Sequence, residues 1–262
     1  LRREYRKAVA GFCADNGVVA QGVTQTDSAV TALVAANMLR GAASVCCMAG
    51  VAGAEVFPVD AGMATEVEGL RSIKVARGTR DLSREPAMTR QQCLSVLLAG
   101  VGRSAGEVTG RGAGLSDRGL ERKIAVIDSA LALHRPDPAD PVDVLAKVGG
   151  YDIAAMAGFY LGCARHRIPA VMDGFISTVA ALAAVRLCPA AGDALVASHL
   201  SAEPGAGFVM EALGQPPLLC LGMALGEGTG AVSAMPLLDM ALRVYFDMPS
   251  FDGIGIEAYR PL

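Results

Sequence analysis

Four short stretches carry the residue types that can do chemistry. In Leu225-Gly226-Glu227-Gly228-Thr229-Gly230-Ala231 one carboxylate stands between glycines, ahead of a run of small and apolar residues. Glycine on both sides lets a ligand approach the backbone. Met223 and Leu225 supply apolar surroundings, a setting that suits a carboxylate to proton abstraction; a plain turn residue is the alternative. Gly110-Arg111-Gly112-Ala113-Gly114-Leu115-Ser116-Asp117 sets three glycines around an Arg at the start of a helix that carries Lys123. Exposed backbone N–H groups and a helix start attract an anion. The stretch lacks both the Gly-Lys-Ser/Thr ending of a P-loop and the spacing of a dinucleotide fingerprint, so phosphate binding and a plain helix-entry turn both stay open. Ser198 to Gly205 (SHLSAEPG) holds His199, and Ser201 and Glu203 there can cap the next helix or meet a ligand. No G-x-S-x-G elbow accompanies them, which excludes a Ser–His–acid hydrolase of that type. Asp173-Gly174-Phe175-Ile176-Ser177 offers an acid and a hydroxyl at a strand-to-helix turn, as a cap or a sugar contact. Cys13, beside Asp15, reads as packing, since no His follows to activate it as a nucleophile.

These stretches need elements to position them. Residues 7–13 read as a strand that ends in the turn Ala14-Asp15-Asn16-Gly17. Val30 to Leu39 reads as a helix stopped by Gly41, and residues 55–60 as a strand that Pro58 confines to an edge or bend. Helices follow over 116–133 and 152–165, a strand and turn over 170–174, a helix over 176–187, a strand over 194–198 and a helix over 208–213. Pro136-Asp137-Pro138-Ala139-Asp140-Pro141 reads as a rigid surface connection. This alternation predicts an α/β domain with a mainly parallel sheet flanked by helices, Rossmann-like, and functional turns at the carboxyl ends of its strands.

Composition narrows the partners. Hydrophobic residues make up 52% of the 262, which is ample for a core, and the net charge of −3 is spread without a basic block, so no nucleic-acid partner is expected. The apolar run at 178–185 is too short for a membrane span, and no membrane partner is expected. Seven cysteines without a C-x-x-C pair or Cys/His cluster predict reduced thiols in a cytoplasmic protein and no metal site. The chain opens at Leu1 without a Met, so a longer polypeptide is expected.

Taken in order, ADNGVVAQGVTQTDSAVT, AGAEVFPVD, VARGTRD, EPAMTRQQ, VTGRGAGLSDRGLERKIAVI, VGGYDIAAMAGFYLGCA, VMDGFIS, SHLSAEPG and LGMALGEGTGAVSAMPLLDMA resemble one family across nearly the whole chain. That family is the nicotinate-nucleotide:dimethylbenzimidazole phosphoribosyltransferases, which activate the lower ligand of cobamides. The resemblance implies a pentosyltransferase that needs no cofactor, with nicotinate mononucleotide as donor and an aromatic base or a phenol as acceptor. It implies Glu227 as the general base. Gly110, Arg111, Gly112, Gly114, Lys123 and Ser201 would hold the phosphate and ribose, and Asp173, Gly174, Ser177 and Glu203 would face the nicotinate and ribose. Asp15, Thr24, Leu33 and Leu225 would face the acceptor. It further implies a large α/β unit over 7–230, a smaller helical unit from 1–6 and 231–262, and a homodimer or a heterodimer with a paralogue.

The sequence departs from the family pattern in two places. Asn16, the Val23–Asp27 segment and Leu33 differ on the acceptor side, which points to an acceptor other than dimethylbenzimidazole: another benzimidazole, a purine or a phenol. Between Gln92 and Leu94 the family's Gly-Glu-Met-Gly-Ile-Gly-Asn-Thr-Thr turn has no counterpart, and the expectation is that the natural polypeptide carries extra residues there. The rival reading is a non-catalytic partner subunit of a heterodimeric enzyme. Retention of Glu227 favours the enzyme.

Overall fold

The computed structural model describes residues 4–93, 116–250, 253 and 255. Strand β1 (Lys7–Ala14) pairs in parallel with β2 (Ala54–Gly62), and β2 pairs in parallel with the short β3 (Arg71–Ser72). A second parallel pair joins β4 (Ala170–Met172) to β5 (Leu195–Ala197). Among the described residues all strand pairings are parallel, as the alternating sequence pattern predicts, but they fall into two sheets. β2 is the middle strand of the first sheet, not an edge strand. Pro58 is accommodated because β3 pairs with β2 only from Val59 onward, so at Pro58 the strand has β1 as its one neighbour.

Between β1 and β2 lie α1 (Ala29–Leu39) and α2 (Ser44–Ala52). Residues 29–52 have the length and hydropathy of a bilayer span, longer than the apolar run considered above. The chain turns within that stretch, with Gly41 in the left-handed conformation (φ 72°), so it forms two separate helices. A single turn of helix, α3 (Arg90–Cys93), precedes α4 (Asp117–His134), whose N-cap Ser116 accepts a hydrogen bond from Gly119 N–H at 3.3 Å. The segment read as a surface connection ends in a helix start. Asp140 caps α5 (Pro141–Val148) by accepting from the N–H groups of Val142 and Asp143, and Pro141 fills a first-turn position where no donor is needed.

Helix α6 (Tyr151–Arg165) packs on α7 (Phe175–Leu187) and on β1. Every residue of α7 from Ser177 to Ala184 is buried. Its alanines let neighbouring helices approach closely, and Leu182, Met172 and Val209 fill the space around it. Each such side chain contributes ~1.5–3 kcal/mol by leaving water. After β5 comes α8 (Ala206–Leu213), then an extended return in which Leu218 and Leu219 donate to the carbonyls of Ala197 and Ser198. Ala202 N–H in turn donates to Met223 C=O at 2.9 Å. That return lays the SHLSAEPG segment beside the chain leading into the Glu227 turn. The long α9 (Thr229–Asp247) follows and packs against α2.

Candidate active site

Gly226 (φ 80°), Glu227 (φ 59°) and Gly228 (φ 89°) are three consecutive left-handed residues. Glycine adopts this conformation freely, whereas Glu227 carries ~1–2 kcal/mol of local strain there. A Cβ on Gly228 would meet Val9 Cγ1 of β1 at 2.8 Å, while around Gly226 the space is open. The turn is therefore braced on the sheet side and free on the other. Glu227 is half-buried, and its Oε2 is shielded from solvent with no hydrogen-bond partner. A shielded polar atom left unpaired costs ~1–3 kcal/mol. Strain and an unmet acceptor thus fall on the same residue.

Asp173 holds this turn in place. It follows β4, and its carboxylate accepts from Gly228 N–H (3.1 Å), Gly230 N–H (2.8 Å) and Ala231 N–H (3.2 Å). These are donors at the open N-terminus of α9, where negative charge is also favoured by the helix dipole. Thr229 adds a bond from Oγ1 to Gly226 C=O at 2.7 Å. Asp173 is itself fixed: its N–H donates to Ser177 Oγ at 2.9 Å, and Ser177 Oγ is bonded to the buried Tyr160 hydroxyl. Burial pushes the Tyr160 phenol up, so it remains a neutral partner.

A cavity of about 1950 Å³ opens in front of Glu227. At the end of β1, Asp15 is 5% exposed and accepts from Thr31 Oγ1 (2.6 Å) and Ala64 N–H (2.7 Å). Asn16 is bonded to Thr79 Oγ1. Asp152, in the first turn of α6, brings Oδ1 against Gly150 and towards Asn16, and this oxygen has no partner. Burial pushes the Asp152 carboxyl up, and the nearby Asp15 charge adds to the effect. Cys13 sits beside them; burial, followed by the charges of Asp60, Asp152 and Asp15, pushes its thiol up to about 11. It is inert at neutral pH, in line with a packing role. On the opposite side, His199 is 3% exposed and Ser201 7% exposed, and Ser201 Oγ accepts from Glu203 N–H at 3.3 Å.

Among the residues singled out from the sequence, Glu227, Lys123, Ser201, Asp173, Gly174, Ser177, Glu203, Asp15, Thr24 and Leu225 all line this one cavity. Leu33 does not; it points outward from α1 at 61% exposure. Gly110, Arg111, Gly112 and Gly114 lie outside the described residues. Both Asp173 and Asp15 have their carboxylates engaged by protein donors, which makes their contribution to the fold explicit. Sequence reasoning missed Asp152 and Tyr160. Neither carries a local signal, because each meets its partners only when α6 docks on β1 and α7. Among the described residues no group of three or more His, Cys, Asp or Glu side chains comes together as a metal site.

Comparison with known proteins gives a consistent result. A family model described as Phosphoribosyltransferase matches residues 3–106 and 96–256. The chain is 40% identical over 293 aligned positions to the nicotinate-nucleotide–dimethylbenzimidazole phosphoribosyltransferase of Geobacter metallireducens, covering 97% of this chain and 83% of that protein. Identity is 41% to the protein of the same name from Acetivibrio thermocellus, covering 98% of this chain and 84% of that protein. The crystal structure of CobT from Thermus thermophilus superimposes with a TM-score of 0.87 at 37% identity, covering 97% of this chain and 87% of that one. The 293-position alignments are longer than the 262-residue chain, so those relatives carry internal positions that have no counterpart here.

Proposed function

The chain belongs to the nicotinate-nucleotide–dimethylbenzimidazole phosphoribosyltransferase family, and from that premise we propose that Glu227 is the base of a phosphoribosyl transfer from nicotinate mononucleotide to an aromatic lower-ligand base. The enzyme is a pentosyltransferase. In the donor the departing pyridine nitrogen is already cationic, so the C1′–N bond breaks with its electron pair returning to nicotinate, and no acid is required. The acceptor's unprotonated ring nitrogen forms the new bond to C1′, and the charge this places on the ring is discharged by loss of the N–H proton from its other nitrogen, which the Glu227 carboxylate takes. Attack on the face opposite the leaving group converts a β-nucleotide into an α-ribotide. Holding the two reactants in line in one cavity supplies much of the remaining acceleration.

The observation that carries this reading is the left-handed, half-buried Glu227, with its unpartnered Oε2 in the cavity wall. Lys123 and Ser201, which line the same cavity, support a phosphate subsite that would also take in Arg111 and its neighbouring glycines. Asp173, Gly174, Ser177 and Glu203 are proposed for the nicotinate and ribose side, and Asp15, Thr24 and Leu225 for the acceptor side. We also propose a large unit over 7–230 and a smaller helical unit from 1–6 and 231–262, the latter supported by the long helix α9 that runs through most of its described residues. The exposed apolar side chains of Met240, Val244, Tyr245 and Met248 support a dimer, with a second copy or with a paralogue. A cytoplasmic location fits an enzyme of cobamide biosynthesis with unpaired thiols.

The acceptor is proposed to be dimethylbenzimidazole, another benzimidazole, a purine or a phenol, and the altered Asn16 side of the cavity is the reason to test beyond dimethylbenzimidazole. A supporting, non-catalytic subunit is the second reading, favoured by the internal positions that the relatives have and this chain lacks. The deciding experiment measures nicotinate release from nicotinate mononucleotide with dimethylbenzimidazole, adenine or phenol. Turnover with any of them establishes the enzyme and ranks its acceptors. No turnover alone, restored only by a co-expressed paralogue, establishes the supporting subunit.

A further inference from the structure

Tyr160 is a buried titratable group that the reaction as proposed does not use. It lies in α6 at 4% exposure, within the apolar cluster that also holds Met172 of β4 and Ala180, Ala181 and Ala184 of α7. A phenol in such a place needs a partner, and its hydroxyl is bonded to Ser177 Oγ. Ser177 Oγ also accepts from Asp173 N–H at 2.9 Å. One oxygen is therefore held from α6 and from the end of β4 at once, whichever hydroxyl of the pair donates. Neither hydroxyl has a further partner among the described residues.

Ser177 is the third residue of α7, and its reach back to Asp173, just ahead of the Gly174 N-cap, resembles a capping box with serine in the glutamate's place. In a helix a hydroxyl readily turns onto the carbonyl three or four residues earlier. The next residue does so: Thr178 Oγ1 donates to Phe175 C=O at 2.8 Å. Tyr160 holds Ser177 against that alternative and keeps its oxygen on Asp173 N–H. Asp173 then engages Gly228, Gly230 and Ala231 N–H through its carboxylate. Among the described residues these are the hydrogen bonds that reach residues 226–231 from another element, since the bond from Thr229 Oγ1 to Gly226 C=O is internal. Val9 braces Gly228 on the sheet side, but around Gly226 the space is open. The direction of the Glu227 side chain therefore depends on how Asp173 is held.

We infer that Tyr160 is a positioning residue for the transfer: its hydroxyl, through Ser177 and the Asp173 main chain, keeps the turn before α9 in the geometry that aims Glu227 at the acceptor proton. The inference rests on Glu227 as the base. In this role Tyr160 touches neither the donor nor the acceptor, so its removal misdirects the base and leaves the base in place.

The test uses the full chain and single-turnover formation of the α-ribotide at saturating nicotinate mononucleotide and acceptor, in the wild type, Tyr160→Phe, Glu227→Gln and the double variant. Tyr160→Phe keeps the ring in its cluster and should slow the transfer about 3- to 10-fold, the range for one neutral hydrogen bond. In the Glu227→Gln background the same change should slow it by less than about 2-fold, because a residue that acts only through the base is then without effect. A purely structural role would slow both backgrounds alike. Nucleotide affinity, measured by calorimetry without acceptor, should weaken less than the rate falls. Should the Phe variant fail to fold, Ser177→Ala takes its place in both backgrounds, with its effect on the rate again expected to vanish beside Glu227→Gln. A Tyr160→Phe rate equal to that of the wild type, an equal loss in the two backgrounds, or an affinity that falls as far as the rate would overturn the inference alone. A wild type that forms no ribotide, or a Glu227→Gln variant as fast as the wild type, would overturn the proposed function along with it.

Discussion

Replacing Glu227 by glycine should make the protein more stable and abolish its chemistry. Glu227 is left-handed at φ 59°, a conformation that costs a non-glycine residue ~1–2 kcal/mol. Its Oε2 is shielded and unpaired, which adds a penalty near the lower end of ~1–3 kcal/mol because the residue is only half-buried. Glycine relieves both and gives back ~0.4–1 kcal/mol through the greater freedom of the unfolded chain. The net gain is ~1–2 kcal/mol, or a rise in Tm of ~2–8 °C for a chain of this size. Differential scanning calorimetry measures the shift, and nicotinate release measures the activity of the same preparation. A variant less stable than the wild type would mean that the carboxylate supports the fold, and the argument from strain to function would fail.

Three further outcomes follow from the same geometry. Asp173→Ala leaves three backbone donors of the α9 start unpaired and should cost ~2–3 kcal/mol, judged from cap and dipole effects together, with activity lost because the Glu227 turn loses its anchor; thermal unfolding checks it. Asp152→Asn should stabilise the protein, increasingly so towards higher pH. A carboxyl raised in the folded state contributes fully below its unfolded pKa, and that contribution is lost as pH rises through the folded value, so Tm measured from pH 5 to 8 should diverge from the wild type. With its thiol near 11, Cys13 is ionised to about one part in a thousand at pH 8. Iodoacetamide with peptide mapping should therefore label the exposed Cys47, Cys188 and Cys220 and leave Cys13 intact.

Much of the framework was legible because local pattern and tertiary role coincide. β1, α1, α4, α6 and α7 begin and end within a residue or two of the predicted ranges. Helix α2 was not read, since Ser44–Ala52 is apolar all round and offers no period to distinguish helix from strand. Helix α5 was hidden by the prolines ahead of it, although Asp140-Pro141 is itself a cap and first-turn pair. Helix α9 carries Pro236 in its interior, which ordinarily argues against a continuous helix. At the site, the glycines beside Glu227 announced an unusual turn. Nothing local announced that Asp173, 55 residues from Gly228, would hold that turn through the α9 amides. Leu33 follows the helical pattern of α1 but falls on its outer face, a distinction that only packing settles.

The central claim is that Glu227 removes the acceptor's proton. It is tested most directly by single-turnover formation of the α-ribotide from nicotinate mononucleotide and the preferred acceptor, comparing the wild type with Glu227→Gln at saturating substrates. The account predicts a rate lower by ~10²–10⁴-fold, the usual contribution of a positioned base, with nucleotide affinity unchanged. A Gln variant that forms the product at the wild-type rate would contradict it.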